Sequence, residues 1–195
     1  GAVQDIKAIS EVAKKHNVRV HTDGAQAIGK MKVDLVDLGV DYFTFSAHKF
    51  HGPKGIGGMF IKGGAPYTTL IHGSKNVMGG KRAGSLYNNG VAAMAEALEI
   101  ANINLPLVEK SVQSMRDRLE DALLTIPDTK SYVPRVKRLK NLVAMSFRGV
   151  EGESMLWDMN ENGIYISTGS SCSSEDLEGS AVVEPLGEVT EIANT

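Results

Sequence analysis

The stretch Asp41-Tyr-Phe-Thr-Phe-Ser46-Ala-His48-Lys49-Phe-His-Gly-Pro-Lys-Gly55 constrains this chain more than any other. Tyr42, Phe43 and Phe45 make a short aromatic run, which predicts a buried strand. The run ends at Ser46, His48 and Lys49, and a loop rich in Gly and Pro follows. A strand that delivers a hydroxyl, an imidazole and an amine into a loop suits an open α/β sheet, where ligands bind beyond the carboxyl ends of strands. A lysine flanked by aromatics risks losing solvation of its charge. Desolvation favours the neutral amine, the form that condenses with an aldehyde. The plain alternative for Lys49 is a surface lysine in a turn.

A second stretch, Val18-Arg-Val-His21-Thr-Asp23-Gly-Ala-Gln26, predicts a strand over Val18–Thr22 with Asp23 at its end. Two strand ends then carry an acid and an amine. Pyridoxal phosphate needs that pair: a lysine for its aldehyde and a carboxylate beside its pyridinium nitrogen. Ser46 and His48 are placed to donate to its phosphate. Asp23 equally suits the N-cap of a helical turn over 25–28.

These residues resemble the cysteine desulfurases, which belong to the class V aminotransferase group of fold type I pyridoxal-phosphate enzymes. The resemblance rests on His21-Thr-Asp23-Gly-Ala-Gln26-Ala-Ile-Gly-Lys30, Ser46-Ala-His48-Lys49 and Gly52-Pro-Lys-Gly55. Lys81-Arg82-Ala-Gly84-Ser85 and Ser167-Thr-Gly169-Ser-Ser-Cys172-Ser-Ser extend it in the family's order over nearly the whole chain. It implies that Lys49 holds the cofactor as a Schiff base and that Asp23 pairs with the ring nitrogen. It implies further that Gln26 hydrogen-bonds the phenolic oxygen, and that Ser46, His48 and, across a homodimer, Ser85 hold the phosphate. Ser85 stands where the family usually has Thr and keeps the hydroxyl. Val77-Met-Gly-Gly80 departs from the family's Glu-Arg before this point, so the alignment of Lys75–Lys81 stays open.

The implied fold is α/β: part of a large domain of the pyridoxal-phosphate transferase type, with a mixed, mostly parallel sheet over 1–104. A small α+β C-terminal domain over 105–195 carries the cysteine loop. The implied activity is conversion of L-cysteine to L-alanine, with Lys49 as base and Cys172 taking the sulfur as a persulfide. The partners would be a sulfur acceptor or an iron–sulfur scaffold protein. Against the family's length, the chain resembles a middle and later part. A preceding glycine- and threonine-containing phosphate loop, a ring-stacking histidine and a later carboxylate-gripping arginine would lie outside it. Two other readings stay open. One is another class V enzyme, a selenocysteine lyase or an aminotransferase, which needs Asp23 and Lys49 but not Cys172. The other is an inactive fragment or partner-binding module.

Composition narrows the rest. The 195 residues are 42% hydrophobic and 23% charged, with a net charge of -2. The near-neutral balance argues against a nucleic-acid-binding surface. No apolar run looks long enough to span a bilayer, and the start does not read as a signal peptide. A single Cys excludes an internal disulfide and fits a reducing, cytoplasmic setting. No cysteine–histidine cluster suggests a metal. Cys172 itself lies among small polar residues, the setting of an exposed thiol and not of a packing one.

Periodicity predicts a helix over Ile6–His16 capped by Asp5, a helical turn over Leu35–Leu38 closed by Gly39, and a strand over Met59–Ile61. The glycine-rich basic loop His72–Leu86 has the composition of an anion-binding loop. Two helices are expected next, Val91–Ile103 and Leu107–Leu124, with a break at Asn104–Pro106. The second should bury Val108, Met115 and Leu119 and leave Arg116, Arg118, Glu120 and Asp121 in solvent. Strands Asn141–Phe147 and Ile164–Ile166 should flank a helix over Glu153–Asn160, with Met155, Leu156 and Trp157 in the core.

Overall fold

The computed structural model describes residues 2–168. Its order is helix α1 (Ile6–Lys15), strand β1 (His21–Asp23), short helix α2 (Leu35–Leu38), strand β2 (Tyr42–Ser46) and a 3-10 turn (Ala47–Phe50). Strand β3 (Gly57–Ile61), helix α3 (Asn88–Leu123), strands β4 (Thr129–Ser131) and β5 (Met145–Phe147) and helix α4 (Gly152–Glu161) follow. The chain divides into two compact units. The first is residues 2–113 with Arg135–Asn141, and the second is Ser114–Pro134 with the described residues from Leu142. Residues 135–141 belong with the first unit because Val3 N–H donates to the Lys137 carbonyl at 2.8 Å and Ala2 bridges Arg138.

The first unit is built on the sheet β1-β2-β3. β1 runs parallel to β2, with His21 opposite Tyr42 and Asp23 opposite Thr44. β3 runs antiparallel to β2. The sheet is therefore mixed, as read, with one parallel and one antiparallel pairing among the described residues. Alternation along β2 sends Phe43 and Phe45 to one face and Tyr42 and Thr44 to the other. The phenylalanine face is the core: Phe43 and Phe50 are each 2% exposed, and the Phe45 ring centroid lies 6.4 Å from Phe43 and 6.2 Å from Phe50. Burying each such ring contributes about 1.5–3 kcal/mol. Gly24 lets the chain turn over this core, since a Cβ there would stand 1.8 Å from the Phe43 ring.

Asp5 caps α1 as expected, accepting from Ala8 N–H at 3.0 Å. Asp34, which the sequence reading did not name, caps α2 by accepting from Val36 N–H and Asp37 N–H. Gly39 ends α2 at φ +69, a conformation that costs a side chain but not glycine.

Helix α3 departs from expectation. It is one helix of 36 residues with Pro106 inside it, so the break at Asn104–Pro106 does not exist. Proline removes one N–H from the ladder. Next to it, the Asn104 side-chain amide donates to the Ile100 carbonyl at 2.9 Å, within the turn that precedes the proline. By length and composition alone, one 18-residue window of α3, of mean hydropathy 1.3, is apolar enough to cross a membrane, so a run of that kind exists where none was expected. Glu96, Glu99, Asn102 and Asn104 interrupt its apolar half.

In the second unit Arg118 and Asp121 are exposed as expected, but Arg116 and Glu120 are not. Arg116 and Glu120 are 5% and 2% exposed, whereas Met115 and Leu119 are each 53% exposed. Arg116 Nε donates to Asp117 Oδ1 at 2.7 Å, and Ser131 donates to Glu120. β4 and β5 pair antiparallel, and the buried Tyr132 hydroxyl donates to Ser146 Oγ at 3.0 Å. α4 forms as read, but Trp157 is 60% exposed, and Ile164–Ile166 is not a strand.

Candidate functional site

The site residues read from the sequence gather where β1 and β2 end. Parallel pairing in register puts both carboxyl ends side by side, with Asp23 opposite Thr44 and Ser46 two residues further. Asp23 is exposed. Its Oδ1 accepts from Ala25 N–H at 2.8 Å, so the turn-capping role and a ligand role share one carboxylate. Oδ2 has no hydrogen bond among the described residues. On the same face, His21 Nε2 and Thr44 Oγ1 are 3.2 Å apart.

Lys49 sits in the 3-10 turn that follows β2. Three residues per turn eclipse Ala47 and Phe50, and these two are buried at 0% and 2% exposure. His48 is left exposed and Lys49 half-buried. The turn closes at His51, whose φ of +67 is unusual for a residue with a side chain. Ser46 occupies the N-cap position, yet its side chain makes no capping bond, so its hydroxyl is available to a ligand.

Gln26 is held by a residue that the sequence reading did not assign. Lys30 Nζ donates to Gln26 Oε1 at 2.7 Å. Burial first, and the Lys49 charge second, hold the Lys30 ammonium below the usual lysine range. Lys30 thus belongs to the same electrostatic neighbourhood as Lys49. The signal was in the spacing: residues 24–30 coil through Ile28 N–H to Gly24 O and Met31 N–H to Ala27 O, and in a coil of that pitch positions 26 and 30 are neighbours.

Ser85 lies exposed three residues before α3. The Lys81–Arg82 segment beside it reaches the sheet. Lys81, Arg82, Tyr67, His21, Tyr42 and Met59 are among the residues that line an apolar groove of about 510 Å³. This is the face that carries His21 and Asp23, two residues apart on one strand. Lys49, Ser46 and His48 line neither this groove nor the smaller cavity at the other end of the sheet. Cys172 lies outside the described residues. Among the described residues no group of three or more histidine, cysteine or acidic side chains could hold a metal.

A mixed sheet with a carboxylate, a hydroxyl and an amine at adjacent carboxyl ends defines an α/β protein of the type that binds its ligand beyond those ends. The chain belongs to the class V aminotransferase family, whose model, Aminotransferase class-V, matches residues 1–191. It is 40% identical over 190 residues to a cysteine desulfurase IscS of Clostridium botulinum, covering 96% of this chain and 48% of that protein. It is 38% identical over 192 residues to the cysteine desulfurase IscS of Methanosarcina thermophila, covering 98% and 47%. Among solved structures, a NifS-like protein superposes with TM-score 0.88 at 33% identity, over all of this chain and 50% of the other. A NifS-like protein from Rickettsia africae matches with the same TM-score at 23% identity, over all of this chain and 51% of that one, which speaks for the fold alone. The chain spans about half the length of the curated relatives it matches.

The family's enzymes use pyridoxal phosphate, and the donor set fits that group. Lys49 offers a primary amine with no ion pair among the described residues, Asp23 a free carboxylate oxygen and Ser46 an uncommitted hydroxyl.

Proposed function

We propose that the full-length protein is a cysteine desulfurase that converts L-cysteine to L-alanine and passes the sulfur on as a persulfide. The observation that carries the reading is the register of β1 and β2, which sets the Asp23 end beside the Lys49 end, in a chain 40% identical to a desulfurase. In this reading residues 1–104 belong to the large cofactor-binding domain and 105–195 to the small C-terminal one. A homodimer and a reducing cytoplasmic compartment complete the proposal.

Lys49 would hold pyridoxal phosphate covalently, Asp23 would pair with its ring nitrogen, and Gln26 would face its phenolic oxygen. Ser46, His48 and the partner subunit's Ser85 would hold its phosphate. When bound, that group supplies an electron sink for the Cα carbanion of an amino acid. Lys49 then moves the proton at substrate Cα, as base and afterwards as acid. Asp23 keeps a proton on the ring nitrogen through its charge. Cys172, as thiolate, forms the new S–S bond while the substrate Cβ–S bond breaks. The electron pair of that bond stays with the carbon skeleton, which takes up protons and leaves as alanine. An iron–sulfur scaffold or a thiolation protein would then accept the sulfur.

The test is made on the full-length protein with added pyridoxal phosphate. A visible absorbance band, and after borohydride a pyridoxyl mass on the Lys49 peptide, are expected. No adduct on Lys49 overturns the assignment. In the same protein, Cys172→Ala should abolish persulfide transfer while leaving the adduct. Undiminished transfer would favour another class V enzyme, one that does not need this thiol.

A further inference from the structure

The end of the sheet opposite Lys49 carries a second cavity. Three chain segments meet there in register: Asp41 N–H donates to the Val20 carbonyl at 3.0 Å, and Lys62 N–H donates to the Asp41 carbonyl at 2.8 Å. Residues 20, 41 and 62 therefore line up at one edge. Helix α1 covers that edge with Ser10 and Lys14, one turn apart. The cavity, about 190 Å³, is lined by Ser10, Lys14, Arg19, Asp41 and Lys62, with Asn17, Val18, Val20 and Gly39. Ser46, at the cofactor end, is five residues along β2 from Asp41, about 16 Å away at the rise of an extended strand.

Two observations point to an anion. Three cations and one carboxylate line the cavity, and that carboxylate is already engaged. Asp41 accepts from Arg19 Nη1 at 3.1 Å and from Val20 N–H at 3.0 Å. Lys14 and Lys62 make no ion pair within 4.0 Å among the described residues, although the Lys62 charge acts on Asp41. Independently, Ser10 is 5% exposed, and its hydroxyl is buried without any hydrogen-bond partner. A buried hydroxyl left unpaired costs stability unless something polar meets it. Gly39 packs on Ser10, since a Cβ at 39 would lie 3.6 Å from the Ser10 Cβ. The backbone N–H groups of Asn17, Val18, Gly39, Asp41 and Lys62 are all spent on carbonyls. The free donors are thus side chains: one hydroxyl and two ammonium groups. The volume is below the range of cavities that take drug-sized ligands.

We infer that this cavity is a binding site for a small tetrahedral oxyanion of the phosphate class, held by Ser10 Oγ, Lys14 Nζ and Lys62 Nζ. It is separate from the Lys49 end and does not depend on the chemistry proposed there.

The experiment titrates inorganic phosphate into the full-length protein already saturated with pyridoxal phosphate, at constant ionic strength, by calorimetry. One saturable phosphate per chain is expected. Lys14→Ala with Lys62→Ala should weaken it at least about tenfold, the order of a lost charge-assisted bond. Ser10→Ala should weaken it less, while the cofactor band stays unchanged in both. A phosphate-soaked crystal should show the ion against Ser10. No saturable phosphate, undiminished binding in the double lysine variant, or only water against Ser10 would each overturn the proposal.

Discussion

Lys30 and Gln26 form a 2.7 Å hydrogen bond in which the ammonium holds the amide oxygen. An amide whose oxygen is fixed presents its NH₂ in the opposite direction, so Lys30 orients Gln26 as a donor. In the full-length protein, Lys30→Met and Gln26→Ala should each weaken retention of pyridoxal phosphate a few fold, and the double variant should lose little more. A double-mutant cycle on cofactor affinity reads this. Additive losses would show that the two residues act separately.

Lys30 also makes a pH prediction. Its folded-state value is lowered from 10.5, by burial first and the Lys49 charge second. The unfolded chain therefore binds more protons between the depressed value and 10.5, and stability rises with pH through that window. Urea unfolding at a series of alkaline pH values should show this rise in the parent, and Lys30→Met should flatten it.

Asp41 predicts the acid side. The Val20 N–H bond, ahead of Arg19, holds its carboxyl below 3.8, against the opposing effect of burial. Its contribution is present above the unfolded value and is lost as pH falls through the folded one. Asp41→Asn should be less stable at neutral pH, by about 1–3 kcal/mol for a partly unsatisfied buried group. The gap from the parent should narrow below about pH 3.8, as followed by denaturant melts.

Gly24 is a steric prediction. With a Cβ 1.8 Å from the Phe43 ring, Gly24→Ala should cost about 1–3 kcal/mol as an overpacked core. Phe43→Leu in the same chain should recover part of that loss. A loss unchanged by the smaller side chain would place the strain elsewhere.

Glu120 tests the polar interior of the second unit. It is 2% exposed and accepts from Ser131. Glu120→Ala should cost about 1–3 kcal/mol, the cost of leaving the half-buried Ser131 hydroxyl without its acceptor, whereas the exposed Leu119→Ala should cost less. Thermal unfolding of the two variants in parallel makes the comparison.

The residues that the sequence displayed well were those whose neighbours in space are neighbours in pattern. The alternation of Phe43 and Phe45, the punctuation at Gly39 and the polar ends at Asp23 and Lys49 all follow from local periodicity. Lys30 was written into the same motif as Gln26, but its role appears only once the turn coils. α3 was hidden for a different reason. Pro106 normally stops a helix, and here it does not. Arg116 and Glu120 read as a solvated stripe because nothing in their spacing announces Ser131, eleven residues on. β4, the tripeptide Thr-Lys-Ser, has no apolar signal and exists through its pairing with β5.

The 3-10 turn bearing Lys49 begins the connection of a hairpin, because β3 returns antiparallel beside β2. Asp23 arrives through a parallel pairing that needs the longer crossover from β1 to β2. Antiparallel neighbours close through short loops and parallel ones must close longer loops first. The two chemical poles are therefore expected to assemble in sequence as the chain folds, the amine-bearing hairpin before the acid-bearing strand.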